Sequence, residues 1–159
     1  MAVDYIKRLQ ANFTAQGFPI YRWSYNVEAP LKRLSKSLSE CRIGVLSSAG
    51  VHLPNQEAFD PVRDDLTFRE IPRNITQDQV RVHHNNYDST DAYRDVNYVI
   101  PFRALSRLEE EEYVKSVADP IITFMGRVLR RSALMKDMAP WLASRFHDLG
   151  VDAAFLIPV

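Results

Sequence analysis

The chain has 159 residues, the length of one ordinary domain. It carries 20 Lys and Arg against 20 Asp and Glu, and a formal charge of zero argues against a nucleic-acid groove or a membrane surface that relies on excess positive charge. Because 46% of residues are hydrophobic and 25% are charged, we expect a soluble, cytoplasmic globular protein. Cys41 is the only cysteine, which excludes an intrachain disulfide or a C-x-x-C motif within these residues.

The N-terminal part is predicted to form a helix followed by an extended arm. Apolar residues recur at helical spacing over residues 4–16, and Gly17 ends that helix. Residues 18–40 contain two prolines and four aromatic residues, a pattern typical of an arm that packs on an apolar surface. We therefore divide the chain into an N-terminal segment, 1–40, and a single α/β domain, 41–159.

The α/β domain is predicted from short apolar runs that alternate with helical patterns. A first strand, Arg42–Leu46, opens into a loop of small residues, as at the carboxyl end of a strand in a parallel sheet. Further strands are predicted at Phe68–Ile71, Val80–His83, Ile121–Met125 and Ala153–Ile157, with residues 84–95 as a polar loop and 96–100 extended. Helices are predicted over about 103–117 and over 135–149, the second beginning or kinking at Pro140 and ending at Gly150. We expect an open, mostly parallel sheet flanked by helices.

Two polar segments are candidates for a binding site. In the loop after the first strand, small residues let backbone N–H groups approach an anion, and a histidine can titrate near neutral pH; its candidate residues are Ser47, Ser48, Gly50 and His52. The alternative is a tight strand exit in which His52 is a hydrogen-bonded structural residue. The second segment has two histidines and three aspartates between residues 83 and 95, and its candidates are His83, His84, Tyr87, Asp88, Asp91 and Arg94.

The second segment is compatible with three roles. Histidine and carboxylate side chains could bind a divalent metal, form an acid–base pair, or make a hydrogen-bonded turn. Adjacent histidines on a strand point to opposite faces, so at most one of His83 and His84 is expected to face a common centre.

Three other groups of polar residues are weaker candidates. Arg69 could hold a carboxylate together with Arg94, or could pair with Asp64 or Asp65 in a structural salt bridge. Cys41 lies beside Arg42, a cation that can lower a thiol pKa, although an inert structural role is favoured. The acidic run Glu109 to Glu112 is typical of a solvated helical face.

Five ordered segments resemble the selenoprotein B family of the glycine/sarcosine/betaine and D-proline reductases. They are Val45 to Leu53, Phe68 to Pro72, His83 to Asp91 with Arg94 to Asn97, Phe124 to Gly126, and Gly150 to Leu156. The resemblance runs from about residue 30 to the C-terminus. It implies a selenocysteine-x-x-cysteine or Cys-x-x-Cys pair just after the strand that matches Val151–Ile157. The sequence ends at Val159, where that pair is expected to begin, so either the natural protein continues or this is a short relative that has lost the activity.

Three functions follow as hypotheses. The first is a thiol-dependent reductase of a small amino-acid- or amine-derived substrate, with a possible partner reductase subunit. The second is a metal-dependent enzyme that uses His52, His83 or His84 with Asp88 or Asp91. The third is a non-catalytic substrate-binding or assembly subunit. We expect a homo-oligomer that binds a small molecule and neither nucleic acid nor membrane; we expect no cofactor, and the sequence assigns no catalytic residue.

Overall fold

A computed structural model describes residues 5–20, 27–28, 30, 32–126 and 128–159. They belong to two compact units, Met1–Arg33 and Leu34–Val159. In the first unit, the predicted helix is present as α1 (Tyr5–Ala15), and the chain leaves it at Gly17, whose φ is 78°. Residues 21–26, which include three of the four aromatic residues of the predicted arm, lie outside the described residues.

The second unit contains seven strands and four helices among its described residues. The strands are β1 (Arg42–Ser47), β2 (Val51–His52), β3 (Arg69–Ile71), β4 (Arg81–Val82), β5 (Ser116–Val117), β6 (Ile121–Thr123) and β7 (Ala153–Ile157). The helices are α2 (Thr90–Arg94), α3 (Phe102–Glu110), α4 (Arg131–Ala133) and α5 (Ala139–Asp148), with a π-helical turn, Leu134–Met138, between the last two. Short 3-10 turns lie at Leu38–Glu40, Gln77–Gln79 and Val96–Tyr98. No helix in the described ranges is long and apolar enough to cross a membrane.

β1 is the central strand of a five-stranded sheet. It pairs in parallel with β7 over its length, and on its other side it pairs in parallel with β5 at its start and β6 at its end. β3 joins β6 in antiparallel fashion, while β2 and β4 form a separate antiparallel pair. The sheet is therefore mixed but mostly parallel, and with its flanking helices it confirms the predicted α/β fold.

Close packing of α5 on the sheet depends on Gly44. A Cβ atom there would lie 2.9 Å from both the Phe146 ring and the Val151 side chain. The missing side chain lets α5 approach β1 directly. The helix begins near Pro140 and ends before Gly150 (φ 65°), as the sequence predicts.

Three predicted elements differ from the structure, two of them because polar residues act through their side chains. The loop predicted over 84–95 contains α2, whose first turn is held by Asp88: its carboxylate accepts hydrogen bonds from the Thr90 N–H and hydroxyl. Asn, Asp, Ser and Thr favour turns and helix starts alike, so composition alone did not separate the two. Residues 96–100, predicted as extended, begin with a 3-10 turn because the Asp95 carboxylate accepts the Asn97 N–H.

The helix predicted over 103–117 ends at Glu110, and the chain then reaches β5. Glu112 has a φ of 58°, which a helix cannot accommodate. Glu109 does not belong to the solvated face that the sequence predicts. Its carboxylate accepts hydrogen bonds from Arg73 and from the Val117 N–H, the latter at 2.6 Å. The acidic run thus includes one residue that ties α3 to β5.

Gly50 and Gly150 provide a matched test of backbone strain against close contact. Their φ angles are alike, 69° and 65°, but a Cβ at Gly50 would lie 2.3 Å from the His83 carbonyl oxygen, whereas nothing lies within 4 Å of one at Gly150. We expect Gly150→Ala to lower the free energy of unfolding by about 1 kcal/mol, and Gly50→Ala to lower it by more than about 2 kcal/mol. Urea titration measures both, and equal losses would contradict the role of the His83 contact.

Candidate functional site

The carboxyl ends of β1, β6 and β7 meet at one edge of the sheet. The loop after β1 joins them: the Ser48 N–H donates to the Ile157 carbonyl at 3.1 Å, and the Ser48 carbonyl accepts the Gly126 N–H at 2.8 Å. The Phe124 N–H donates to the Ser47 carbonyl at 3.0 Å. In open α/β sheets, ligands bind at this carboxyl edge.

A cavity of about 530 Å³ opens at this edge, a size that suits a small ligand. Its lining residues come from the ends of all three strands: Leu46, Ser48, Phe124, Gly126, Leu156, Ile157, Pro158 and Val159. The Ser48 hydroxyl oxygen accepts the Val159 N–H at 2.9 Å. A Cβ at Gly126 would lie 2.8 Å from the Ser48 Cβ, so a glycine is required for the two loops to approach. We call this the Ser48 cavity.

The sequence predicts a site role for Ser48 but not for Phe124, Gly126 or the residues after β7. Phe124 falls within the predicted strand Ile121–Met125, which in the structure ends earlier, at Thr123. Gly126 directly follows the predicted strand, and that position is the signal that could identify it. Ser47 has a different place, because its buried hydroxyl donates to the Val99 carbonyl at 2.9 Å and holds the chain before α3.

A group of histidines lies on the other side of the same loop. The Gly50 carbonyl accepts the His83 N–H at 2.9 Å, and His52 and His83 face each other with 2.7 Å between Nε2 of His52 and Nδ1 of His83. Nδ1 of His52 lies 2.8 Å from the Leu53 carbonyl oxygen. A carbonyl can only accept, so Nδ1 of His52 carries a proton. When both rings are neutral, Nδ1–H of His83 therefore donates to Nε2 of His52.

Burial keeps His52 neutral. His52 is 4% exposed, and burial is the main cause that lowers its pKa. The Leu53 hydrogen bond opposes this effect, and electrostatic interactions with His83, Arg69 and Arg81 reinforce it. His83, its hydrogen-bond partner, is exposed. The pair thus joins a buried imidazole to solvent.

His84 and Tyr87 form the second half of the histidine group. Nδ1 of His84 accepts the Asn86 N–H at 3.1 Å, so in the neutral ring the proton lies on Nε2, which is buried and has no hydrogen-bond partner among the described residues. Burial lowers the pKa of His84. Tyr87 packs against this ring at 4.8 Å and donates its hydroxyl to the Ala49 carbonyl, while burial raises its pKa to about 12.

The remaining candidates do not join this group. Arg69 donates to the Glu57 carbonyl and to the Thr67 hydroxyl oxygen, and its guanidinium lies 4.4 Å from the centre of the Phe59 ring. Asp88 holds the start of α2, and the exposed Asp91 and Arg94 pair with each other across one helical turn at 3.3 Å.

Asp64 and Asp65 do not form the direct salt bridge with Arg69 that was considered. Asp64 pairs with Arg130 at 3.0 Å and also accepts two backbone N–H groups, at Leu129 and Arg130. Asp65 accepts the Thr67 hydroxyl, which stands between it and Arg69.

A metal site receives no support from side-chain placement. Across the described ranges, no three His, Cys, Asp or Glu side chains come together as ligands. Cys41 is buried, and its thiol donates to the Ser37 carbonyl at 3.1 Å, which fits the structural role that the sequence favours.

These features define an α/β domain with a cavity at the carboxyl edge of its parallel strands. Residues 28–158 match the model of the glycine/sarcosine/betaine reductase selenoprotein B family, and the chain belongs to that family. It is also similar to the D-proline reductase subunit gamma of Acetoanaerobium sticklandii, with 28% identity over 123 residues, 77% of this chain and 50% of that protein. The chain thus spans about half the length of this relative. No solved structure matches the chain.

The lowered pKa values of His52 and His84 predict a pH-dependent stability. A histidine whose pKa is lower in the folded chain is protonated first in the unfolded chain, so its contribution is complete above about pH 6.5 and is lost as pH falls through the lowered value. We expect the urea midpoint to fall between about pH 7.5 and about pH 5.5. His52→Asn, which keeps a donor for the Leu53 carbonyl, should reduce this fall.

His147 provides the control, because its side chain is 91% exposed. His147→Asn should show the pH dependence of the unaltered protein. A His52→Asn variant that keeps the full fall in urea midpoint would contradict the assignment to buried histidines.

Proposed function

We propose that this chain forms the substrate-binding part of a thiol-dependent reductase that acts on a small amino-acid- or amine-derived substrate. The observation that carries the proposal is the Ser48 cavity, which lies at the carboxyl ends of three parallel strands within the segment matched by the reductase family. The match covers both the loop after β1 and the histidine segment, so the proposed site lies within the part of the chain shared with the family.

The chemistry of the site suits a carboxylate. The Ser48 oxygen accepts the Val159 N–H, which leaves the hydroxyl proton with no acceptor among the residues that the structure describes. A neutral donor that lacks a protein acceptor favours an anionic ligand, since a buried donor without a partner is costly. We propose that Ser48 binds the substrate carboxylate. Ser47 and Gly50 fix its loop, and Tyr87 fixes the histidine segment behind that loop.

The His52–His83 pair has a supporting role in this proposal. A neutral, buried imidazole hydrogen-bonded to an exposed one can accept a proton from solvent without exposing the interior. We propose that the pair holds the histidine segment against the loop and supplies a proton to that side of the site. Arg69, Asp88, Asp91 and Arg94 are not needed in it, because each already has partners within its own segment.

Reduction requires a redox group from outside these 159 residues, because Cys41 is the only cysteine and is buried. A thiol or selenol pair would give two electrons to the substrate and end as a disulfide or its selenium equivalent. It would come from a longer native chain or from a partner reductase subunit. The matched relative is named as a subunit of D-proline reductase, which supports a partner.

A non-catalytic binding or assembly subunit is the second candidate, and the single buried cysteine favours it. Intact mass and the C-terminal peptide of the protein from its native source distinguish the two. A native chain that continues past Val159 into a C-x-x-C or its selenium equivalent supports the reductase. A native mass equal to that of the 159 residues, together with no turnover in the presence of a dithiol, supports the binding subunit.

Ligand binding tests the site independently of turnover. We expect at least one of glycine, sarcosine, betaine and D-proline to bind, measured by calorimetry. Ser48→Ala removes the hydroxyl donor, and we expect it to weaken binding by about tenfold. Ser48→Thr, whose hydroxyl can replace that donor, should stay within about threefold of the unaltered chain.

Asp91→Asn serves as the control, because Asp91 is an exposed residue of α2. Binding that is equal in Ser48→Ala and in the unaltered chain would contradict the carboxylate assignment. Failure of all four compounds to bind would contradict the proposed substrate class.

We also propose that the chain forms a homo-oligomer through the outer edge of β7. No strand in the described part of the chain pairs with this edge, and Phe155 and Leu156, on opposite faces, are 46% and 59% exposed. A strand with apolar residues on both faces usually lies in the interior of a sheet, where a neighbouring strand pairs with each of its edges. Antiparallel pairing of two β7 strands around Phe155 would set Ala153 against Ile157 and Ala154 against Leu156, a small residue against a large one each time.

Sedimentation tests this arrangement. We expect the unaltered chain to dimerise and Phe155→Lys to be monomeric, because the charge would be buried in the new pairing. Tyr98→Lys alters another exposed apolar residue, 70% exposed, and should leave the dimer intact. A monomeric unaltered chain, or a Phe155→Lys variant that still dimerises, would contradict the proposal.

A further inference from the structure

A second cavity, of about 370 Å³, lies beside the start of α5. It is lined on one side by the chain before β3 and on the other by the π-helical turn and α5: Leu66, Thr67, Phe68, Asp137, Met138 and Trp141. None of these residues lines the Ser48 cavity. Its volume is in the range that accepts a small organic molecule.

Two aromatic rings, one from each side, line this cavity. Phe68 and Trp141 are stacked, with 4.5 Å between ring centres and 11° between planes. Trp141 remains 43% exposed, although aromatic side chains generally gain stability from burial. The negative face of an indole ring attracts cations, more strongly than that of Phe or Tyr.

Asp137 supplies the charge of the cavity. It lies four residues before Trp141, a spacing that places both on one side of a helix, and both line the cavity. Within the described part of the chain, its carboxylate has no hydrogen bond or ion pair. Lys136 precedes it, but adjacent side chains on a helix diverge.

Nearby basic groups are already engaged. Arg145, one turn beyond Trp141, pairs with Glu70 at 2.6 Å. Arg130 pairs with Asp64, and Arg69 donates to the Thr67 hydroxyl oxygen and neighbouring carbonyls. Among the described residues, the cavity therefore has a carboxylate without an ion-pair partner beside the partly exposed ring of Trp141.

We propose that this cavity binds a small organic cation, an alkylammonium group whose charge faces Asp137 and whose carbon atoms pack on Trp141 and Phe68. A hydrated divalent metal ion fits poorly, because it requires several oxygen ligands and the lining offers a single carboxylate. The proposal is independent of the reductase role, since it uses none of the residues assigned to the Ser48 cavity.

Fluorescence of Trp141 measures binding directly. The chain has two tryptophans, so Trp23→Phe leaves Trp141 as the single reporter. Choline is the probe, and 3,3-dimethylbutan-1-ol, which has the same shape without the charge, is its control. We expect saturable binding of choline and at least about tenfold weaker binding of the uncharged alcohol.

Asp137→Asn, in the Trp23→Phe background, tests the carboxylate. Because Asp137 is exposed, this variant should fold normally, which circular dichroism checks, and should bind choline at least about fivefold more weakly. Asp91→Asn in the same background should bind choline normally. Equal binding of choline and the alcohol, no saturable response, or unchanged affinity in Asp137→Asn would each overturn the proposal.

Discussion

The tight loop Ser48–Gly50 at the end of β1 is the constraint on which the rest of the site depends. Its backbone bonds to three separate segments: Ser48 to the end of β7 and to Gly126, and Gly50 to Phe124 and to His83. Buried backbone groups must find partners, and here every partner is distant in sequence. One short loop therefore fixes both the Ser48 cavity and the histidine group, and positions them back to back.

This arrangement requires glycine at two positions where any side chain would clash with a neighbouring segment. At Gly50 any Cβ would meet the His83 carbonyl, and at Gly126 it would meet the Ser48 side chain. The loop thus contacts both neighbouring segments directly. In the Ser48 cavity, the polar side-chain atom that keeps unused hydrogen-bonding capacity is the Ser48 hydroxyl, which can still donate. An anionic group is the ligand that such a site stabilises.

The sequence was sufficient where a local pattern determines structure. β1, β7, α1 and the helix end at Gly150 follow from apolar periodicity and from glycine, so the α/β class could be predicted. The sequence does not predict α2, because residues such as Asp88 and Thr90 are common both in turns and at helix starts. Local patterns could not give Arg69 its place, since its partners are backbone carbonyls and the Phe59 ring, and they could not select Gly126, whose role depends on Ser48, far away in the chain.

The two cavities differ in charge, since one is lined by uncharged side chains and the other includes Asp137, and they are connected through aromatic contacts. Phe124 lines the Ser48 cavity and packs on Phe68 at 5.9 Å, and Phe68 in turn stacks on Trp141. Three rings in series, Phe124, Phe68 and Trp141, thus connect the wall of the Ser48 cavity to the wall of the second cavity. The two cavities share no lining residue. A ligand found in one would therefore not define the ligand of the other.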